Sequence, residues 1–342
     1  MFASADAFLQ LTEEQCIEIL KKVRWPKGFR CPKCNFAACY EIAGRRLPLY
    51  ECAACRYQCS LIAGTVMERS RVPLRKWFAA IDLISLEHLG AVHLAEAIDV
   101  TYKTAWLMLH KLRDAMARHN ERDLLTGIVR LNIAIFGRPC IPFRPGLHPK
   151  EHPFVIGGSM TGDKNSKVLK IMMVQDAGGD TYYRKITPQG ARNFIERHVD
   201  LASSAVDLSI DDFGRTLVDP LSRIGADIAD TIACAHCGVS AKHLQFYLHE
   251  YAYRYNRAQE LEGNDRRSSV SPAAPRSSAI GMSAEFRALL GLAASLPAPS
   301  LRAIAGRPRP GRPDWDTSRN VGHMLRELRA YAASLLPAAA SF

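Results

Sequence analysis

Two cysteine pairs near the start of the chain, Cys31-Pro-Lys-Cys34 and Cys52-Ala-Ala-Cys55, are separated by 17 residues. Four thiolates at this spacing can close a tetrahedron around one zinc ion, with each pair forming a tight turn at the tip of a hairpin. A disulfide framework is the main alternative, but residues 1–10 include Asp6 and lack the basic segment and apolar core of a signal peptide. We therefore expect a cytosolic chain with reduced thiols. The sequence predicts a zinc ribbon in which Cys31, Cys34, Cys52 and Cys55 hold a structural Zn2+.

Two further cysteines, Cys39 and Cys59, lie close by but outside the paired pattern. Because zinc takes four ligands, we expect these two to be small buried residues. Either of them could still replace one of the four.

The length and the charge distribution set wider bounds. At 342 residues the chain suits two or three domains, and it has no apolar run of about 18 residues that would span a membrane. The net charge is +11. Residues 1–122 hold 18 Lys and Arg against 13 Asp and Glu, residues 123–263 hold 16 of each, and residues 264–342 hold 11 against 5. Basic ends around a neutral middle favour a nucleic-acid partner, although so modest a surplus also serves solubility alone.

A helical region follows the cysteines. Pro73 marks the start of a helix whose apolar residues recur at intervals of three and four. A short helix around Leu94 to Ile98, a turn at Asp99-Val-Thr101 and a second helix from about Tyr102 to Met116 have the form of a helix-turn-helix. The second helix of that motif enters the major groove by its N-terminal residues. The predicted DNA contacts are Thr101, Tyr102, Lys103 and Thr104. A plain three-helix bundle is the alternative.

Basic residues lie beside both the predicted zinc ribbon and the predicted helix-turn-helix. Arg75 and Lys76 at the start of the first helix, and Lys111 within the last, are further candidates for DNA binding. Such side chains lie along phosphates and position a readout helix. A second group surrounds the first cysteine pair: Lys21, Lys22, Arg24, Lys27, Arg30 and Lys33.

Five ordered segments resemble one family, the bacterial insertion-sequence transposases that carry an N-terminal zinc ribbon. The segments are Arg24-Trp-Pro-Lys-Gly-Phe-Arg-Cys-Pro-Lys-Cys, Tyr50-Glu-Cys-Ala-Ala-Cys-Arg-Tyr-Gln, Ala63-Gly-Thr-Val-Met, Pro73-Leu-Arg-Lys-Trp and Tyr102-Lys-Thr-Ala-Trp. The resemblance spans residues 10–120. It implies binding to double-stranded DNA at transposon terminal inverted repeats, and an RNase H-like catalytic domain of the DDE superfamily.

The middle of the chain has a matching order of elements. Apolar residues alternate from Val129 to Ile135, which predicts a strand, and strand-like runs follow at Phe154 to Met160 and Val168 to Val174. A helix fits Pro188 to Val199, and a fourth strand fits Ala205 to Ile210. This order is similar to that of an RNase H-like core.

The family's catalytic chemistry uses carboxylates that hold two Mg2+ or Mn2+ ions. On this chain the family's first aspartate falls at Asn132, so one negative charge is missing from that position. The second falls at Asp211, with Asp212 as an alternative. The third ligand has no clear counterpart, and Asp227, Asp230 and Glu250 are stand-ins without motif support.

The sequence predicts a multidomain α+β protein. Its predicted parts are a zinc ribbon with a leading helix (1–62), a helix-turn-helix DNA-binding region (63–122), a degenerate or shortened α/β RNase H-like core (123–263), and a linker with a partly disordered, Arg/Ala/Pro-rich helical tail (264–342). Within the last part, residues 284–296 and 322–336 have helical patterns.

Two hypotheses of different class remain. In the first, the protein is an active metal-dependent transposase in which Asp211 and a substitute ligand suffice. In the second, which the altered ligands favour, it still binds transposon ends but is catalytically impaired, either as a decayed copy or as a retained DNA-binding regulator. The resemblance also implies a homo-oligomer and a bacterial cytoplasmic location at the nucleoid, with no membrane association.

Overall fold

The computed structural model describes residues 3–137, 151–160, 166–174, 188–208, 220–236, 239–265 and 282–305. The chain divides into two compact units. The first takes its described residues from Met1–Met116 and Pro272–Gly306, and the second from Ala117–Ser271. Within these ranges, no helix is both long and apolar enough to cross a bilayer.

The elements of the described residues run in the following order. The helices are α1 (Ala3–Leu9), α2 (Glu13–Arg24), α3 (Leu74–Leu86), α4 (Ala91–Ala97), α5 (Tyr102–Asn120), α6 (Pro188–His198), α7 (Pro220–His236), α8 (Ala241–Asp265), α9 (Ala284–Ser295) and α10 (Leu301–Ala305). The strands are β1 (Cys39–Ile42), β2 (Leu49–Cys52), β3 (Gln58–Ser60), β4 (Leu125–Phe136), β5 (His152–Met160), β6 (Ser166–Met173) and β7 (Val199–Leu208).

The first unit contains a small antiparallel sheet in the order β1-β2-β3 and a helical core. In that core Phe8 of α1 stacks on Phe286 of α9, with 4.5 Å between ring centroids, and both rings meet Phe78 of α3 edge-on. The Val66 N–H donates to the Ala293 carbonyl at 2.9 Å. The predicted helix at 284–296 is therefore present, but it packs inside the first unit rather than standing apart as a tail.

The helices α3, α4 and α5 follow the predicted periodicity. Among the buried residues of α3 are Leu74, Trp77, Phe78, Ile81 and Ile84. In α5, Ala105, Leu109 and Leu112 are fully buried. Asp99 in the preceding turn has a φ of 48°, in the left-handed region that aspartate tolerates better than most residues. The hydroxyl of Thr101 accepts the Thr104 N–H at 3.3 Å and so starts α5.

The second unit has a four-stranded sheet in the order β6-β5-β4-β7. The pairs β4–β5 and β5–β6 are antiparallel, and β4–β7 is parallel. Two apolar clusters cover its two faces. One includes Leu131, Val155 and Phe194 of α6, and the other includes Ile156, Ile228 of α7 and Leu248 of α8. The sheet is thus buried on both sides in the way of an α/β layer structure.

The first three strands of this sheet and α6 lie where the sequence predicts them, but two details differ. Strand β7 begins at Val199, directly after α6, because Val199 already pairs with Leu125 of β4. Helix α7 is not among the elements predicted from the sequence. Its pattern was nevertheless visible, since Pro220 opens the helix and the buried residues Leu221, Gly225, Ile228 and Ile232 recur at intervals of three and four.

Gly157 in β5 allows α6 to approach the sheet closely. A Cβ atom at this position would lie 2.9 Å from Leu131 Cδ2 and closer still to the ring of Phe194. We expect Gly157→Ala to lower the free energy of unfolding by about 1–3 kcal/mol through overpacking, as measured by urea denaturation. Gly291→Ala in α9 is the matched control, since its Cβ would meet nothing within 4 Å. That change should be neutral or stabilise by up to about 1 kcal/mol, and equal effects at the two sites would contradict the prediction.

Candidate metal centre and nucleic-acid interface

The four predicted cysteines converge at one point. All four Sγ atoms lie within 4.8 Å of one another, with Cys31–Cys55 at 3.6 Å and Cys34–Cys52 at 3.5 Å. With Zn–S bonds of 2.3 Å, a regular tetrahedron has sulfur–sulfur edges of about 3.8 Å. The donor set and its spacing fit one zinc ion. Across the described ranges, no second group of three or more Cys, His, Asp or Glu ligands comes together in this way.

Two equivalent turns hold the cysteine pairs. In the first, the Cys31 N–H donates to the Phe36 carbonyl at 3.0 Å and the Asn35 N–H donates to the Cys31 carbonyl at 2.9 Å. The second repeats the pattern between Cys52 and Tyr57 at 2.9 Å, with Arg56 in the place of Asn35. Asn35 and Arg56 have φ values of 60° and 57°, so each turn closes through a left-handed residue. This repeated backbone geometry, rather than side-chain packing, aims both thiols of each pair at the same point.

Backbone donors also favour the thiolate form of two of the ligands, Cys31 and Cys52. The Lys33 N–H donates to Cys31 Sγ at 3.4 Å. The N–H of Cys55 is the main cause that lowers the pKa of the Cys52 thiol. Because zinc binds thiolates, N–H groups directed at the sulfurs stabilise the ligating form. With all four positions taken by protein sulfur, zinc here would cross-link the two turns and leave no open position for chemistry.

The other two nearby cysteines lie outside the cluster, as predicted. Cys39 pairs with Cys52 across β1 and β2 and is half-buried. Cys59 on β3 is buried, with its Sγ 3.8 Å from the Tyr50 carbonyl oxygen. Burial is the main cause that raises the pKa of both thiols, which keeps them protonated at neutral pH.

Arg24, at the end of α2, has a structural role that its place in a basic cluster did not indicate. Its guanidinium donates to the carbonyls of Ser60, Leu61 and Ala63, where the chain leaves β3. It also lies over the Trp25 ring, 5.1 Å from the centroid. Burial lowers the pKa of Arg24. The guanidinium is therefore occupied by the fold and is not placed among the groups that face solvent.

We expect Arg24→Ala to destabilise the first unit by about 2 kcal/mol, because it leaves three carbonyls without their charged donor. Arg24→Lys should recover only part of this, since an ammonium lacks the planar fork that reaches several carbonyls at once. Urea denaturation of both variants measures whether Arg24→Ala destabilises the unit more than Arg24→Lys does. Lys22→Ala, a loss of the same charge two residues away on α2, should have little effect.

The predicted DNA-facing residues fall into two groups. Thr101, Tyr102 and Lys103 are exposed at the start of α5, Thr104 beside them is half-buried, and Arg75 is exposed at the start of α3. Tyr102 is 55% exposed, an unusual position for a large aromatic ring.

Lys76 and Lys111 differ from the first group because their ammonium groups serve the fold. Lys76 donates to the Asp99 carbonyl and lies 3.5 Å from the Asp99 carboxylate. Lys111 is buried, donates to the Glu68 carbonyl at 3.1 Å and lies 6.0 Å from the Trp77 ring centroid. Burial lowers the pKa of Lys111. The structure does not bring Lys111 to the exposed surface with Tyr102 and Lys103.

Of the proposed catalytic positions, Asn132 is described, whereas Asp211 and Asp212 lie outside the described residues. Asn132 is buried on the central strand β4. Its Nδ2 donates to Ser222 Oγ of α7 at 2.8 Å, and its Oδ1 accepts the Ile133 N–H at 2.7 Å. The strand partner of its neighbour Leu131 is Leu208, the last residue of β7.

The stand-ins for the third ligand do not gather around Asn132. Asp227 and Asp230 are exposed on α7, and Asp227 accepts the Tyr251 hydroxyl. Glu250 is fully buried on α8. In the part of the chain that the structure describes, no carboxylate cluster suited to Mg2+ is found. The described residues at this position therefore do not fit the divalent site that the resemblance implies.

Comparison with known proteins agrees with the cysteine geometry. Residues 11–58 match a family model described as a transposase zinc-ribbon domain. An uncharacterized protein in transposable element ISH50 of Halobacterium salinarum is 30% identical over 107 residues, which cover 31% of this chain and 36% of that protein. The chain thus matches about a third of the length of this relative. No solved structure matches the chain.

These matches identify the class of domain at the start of the chain. Residues 11–58 are similar to a transposase zinc ribbon, and this segment contains all four clustered cysteines. The predictions of a zinc ribbon and of structural zinc are confirmed at this level.

Proposed function

We propose that this protein is a transposase-type DNA-binding protein that recognises the ends of an insertion-sequence element and in which strand cleavage and transfer are impaired. The observation that carries the proposal is the transposase zinc-ribbon match over a four-thiol cluster of tetrahedral dimensions. The relative found in a transposable element supports the same context.

Exposed side chains at the start of α5 support DNA contact by the α4–α5 pair. Lys103 and Tyr102 are exposed there, next to the Thr101 cap. A lysine at this position neutralises a phosphate, and an exposed aromatic ring reaches base edges or sugars. Arg75, exposed at the start of α3, adds a second cation for the backbone.

An RNase H-like core is supported by the order of elements in the second unit. Three antiparallel strands are followed by α6 and then by β7, parallel to β4. Leu208 ends β7 beside the strand that carries Asn132, and Asp211 follows three residues later in the sequence. Three extended residues reach about 10 Å, so this chain length suits a site shared by the two positions.

Impaired catalysis is supported by the state of Asn132. A neutral amide contributes no charge to a metal site, and both of its polar atoms already have partners in Ser222 and Ile133. An incoming cation would have to displace these hydrogen bonds and would gain a weaker ligand than a carboxylate.

A gel shift with duplexes that carry the element's terminal inverted repeats, compared with random duplex of equal length, tests DNA recognition. We expect a preference for the repeats. Lys103→Ala should weaken binding to both duplexes and reduce the salt slope of log affinity by about one, as for loss of one phosphate contact. Tyr102→Ala should reduce the preference itself by about 1 kcal/mol.

Lys242→Ala, which removes the same charge from the second unit, is the control and should leave the affinity for both duplexes and the salt slope unchanged. Equal binding to repeat and random duplex by the unaltered protein would refute end recognition. If the Lys103 and Lys242 changes had equal effects on binding, DNA contact by the start of α5 would be contradicted.

A further inference from the structure

A small cavity, open to solvent and with a volume of about 50 Å³, lies in the second unit on the edge strand β6. The end of α5, β6 and the second half of α8 line it. Lys170 pairs with Gly157 of β5, which pairs with Leu131 of β4. Its neighbour Ile171 pairs with Ile156, which pairs with Asn132, so Lys170 and Asn132 lie in adjacent rows across the sheet. Successive strand residues face opposite sides. The cavity is therefore on the face opposite Asn132.

Lys170 is the most unusual residue of this cavity. It is only 3% exposed, yet its ammonium donates no hydrogen bond to any described residue, although it lines the cavity. Burial lowers the pKa of Lys170 to about 8, against the opposing influence of Asp123 and Glu121. An ammonium that lines a narrow cavity without a protein acceptor is suited to a ligand that enters the cavity and supplies one.

Arg257 provides a second unused donor in the same cavity. Its Nη1 donates to Glu260 at 2.7 Å, which fixes the guanidinium, but its buried Nε has no acceptor. The neighbouring Asn256 side chain bonds the Leu169 backbone instead: its Oδ1 accepts the Leu169 N–H at 2.7 Å and its Nδ2 donates to the Leu169 carbonyl at 3.0 Å. That pair of bonds holds α8 against β6 and so fixes the spacing of Lys170 and Arg257.

The charged groups around the cavity differ in burial: Lys170 is buried and the carboxylates are exposed. His198, at the end of α6, is 5% exposed, and burial followed by the Lys170 charge lowers its pKa to about 4. The carboxylates that line the cavity, Asp123 and Glu260, are both exposed. The interior is thus cationic, with negative charge only at the rim.

We propose that this cavity binds a tetrahedral oxyanion of the phosphate class, held by the Lys170 ammonium and the Arg257 Nε. The oxygens of one phosphate would accept charge-assisted hydrogen bonds from both donors. The phosphate belongs either to a free ion or to a DNA backbone, and the rim carboxylates favour the free ion because they repel an extended polyanion. This site is independent of the proposed end recognition and goes beyond it.

Calorimetric titration of the full chain with inorganic phosphate, at constant ionic strength, tests the site. We expect saturable binding that weakens about tenfold or more in Lys170→Met, which keeps the buried stem and removes the charge. Arg257→Lys should weaken binding to a smaller extent, because the charge stays while the Nε donor is lost. Lys242→Met outside the cavity should bind as the unaltered chain does. Absence of binding, or equal binding by Lys170→Met, would overturn the proposal.

Protection of Lys170 from acetylation, measured by mass spectrometry, distinguishes the sources and does not depend on a variant folding. At about ten times its dissociation constant, a ligand at this site should slow the reaction of Lys170 about tenfold without slowing Lys242. Protection by inorganic phosphate supports a free anion, and protection by duplex DNA alone supports a backbone phosphate. Protection by neither overturns the site, whatever the result of the repeat-binding experiment.

Discussion

Purified protein should contain about one zinc per chain, and the double change Cys31→Ser with Cys34→Ser should abolish both the zinc and the folded state of residues 25–60. The ribbon sheet has strands of only four, four and three residues. So small a sheet buries too little apolar surface to fold alone. In zinc-finger peptides, the apparent free energy of binding structural zinc is roughly 10–16 kcal/mol. We expect this to exceed the folding free energy that the rest of the ribbon provides.

Elemental analysis measures the zinc, and limited trypsin digestion measures the fold. The segment 25–60 contains cleavage sites at residues such as Lys27, Lys33 and Arg45, which should be protected only when zinc is bound. Cys39→Ser is the matched control, because Cys39 lies on β1 but outside the thiol cluster. It should keep both zinc and protection. A zinc-free native protein, or equal loss of zinc in the control, would contradict the assignment.

The zinc site was predictable from sequence because its information is local. Two residues separate the cysteines of each pair, and the turn geometry around Asn35 and Arg56 follows from that spacing. The buried stripe of α3 and the alternation in β4 were readable for the same reason, since each depends on a period within one element.

The roles of Arg24 and Lys111 were not predictable in this way. Both are cations, and a sequence pattern assigns cations to the surface. Their acceptors are carbonyls at Ser60 to Ala63 and at Glu68, at least 36 residues away in the chain. Long side chains bury their stems and deliver the charge to a distant backbone group, so only the tertiary structure decides whether such a residue faces DNA. The packing of α9 in the first unit has the same origin, because its apolar face identifies a buried helix but not the partner that buries it.

Asn132→Asp should raise metal-dependent strand transfer of repeat-end DNA by on the order of 100-fold, about 2.7 kcal/mol of transition-state stabilisation. The change restores the charge that a two-metal site needs on β4. The fold should tolerate it: the Ile133 N–H already donates to this side chain, and the Ser222 hydroxyl can turn from acceptor to donor. The assay measures joining of labelled repeat ends in Mg2+ or Mn2+. Asn193→Asp, the same change at an exposed position on α6, is the control and should have no effect.

The outcomes separate the two functional hypotheses. If the unaltered protein already joins DNA and Asp211→Ala abolishes this, an amide at Asn132 suffices and the impaired hypothesis is wrong. If Asn132→Asp gains activity and a further Asp211→Ala removes the gain, the two positions share one site and the lost charge is the cause of impairment. If Asn132→Asp stays inactive although it still binds repeat DNA, the missing third ligand limits catalysis, since one restored carboxylate cannot complete a cage of three. The ribbon would then be the part of this chain that retains a complete metal site.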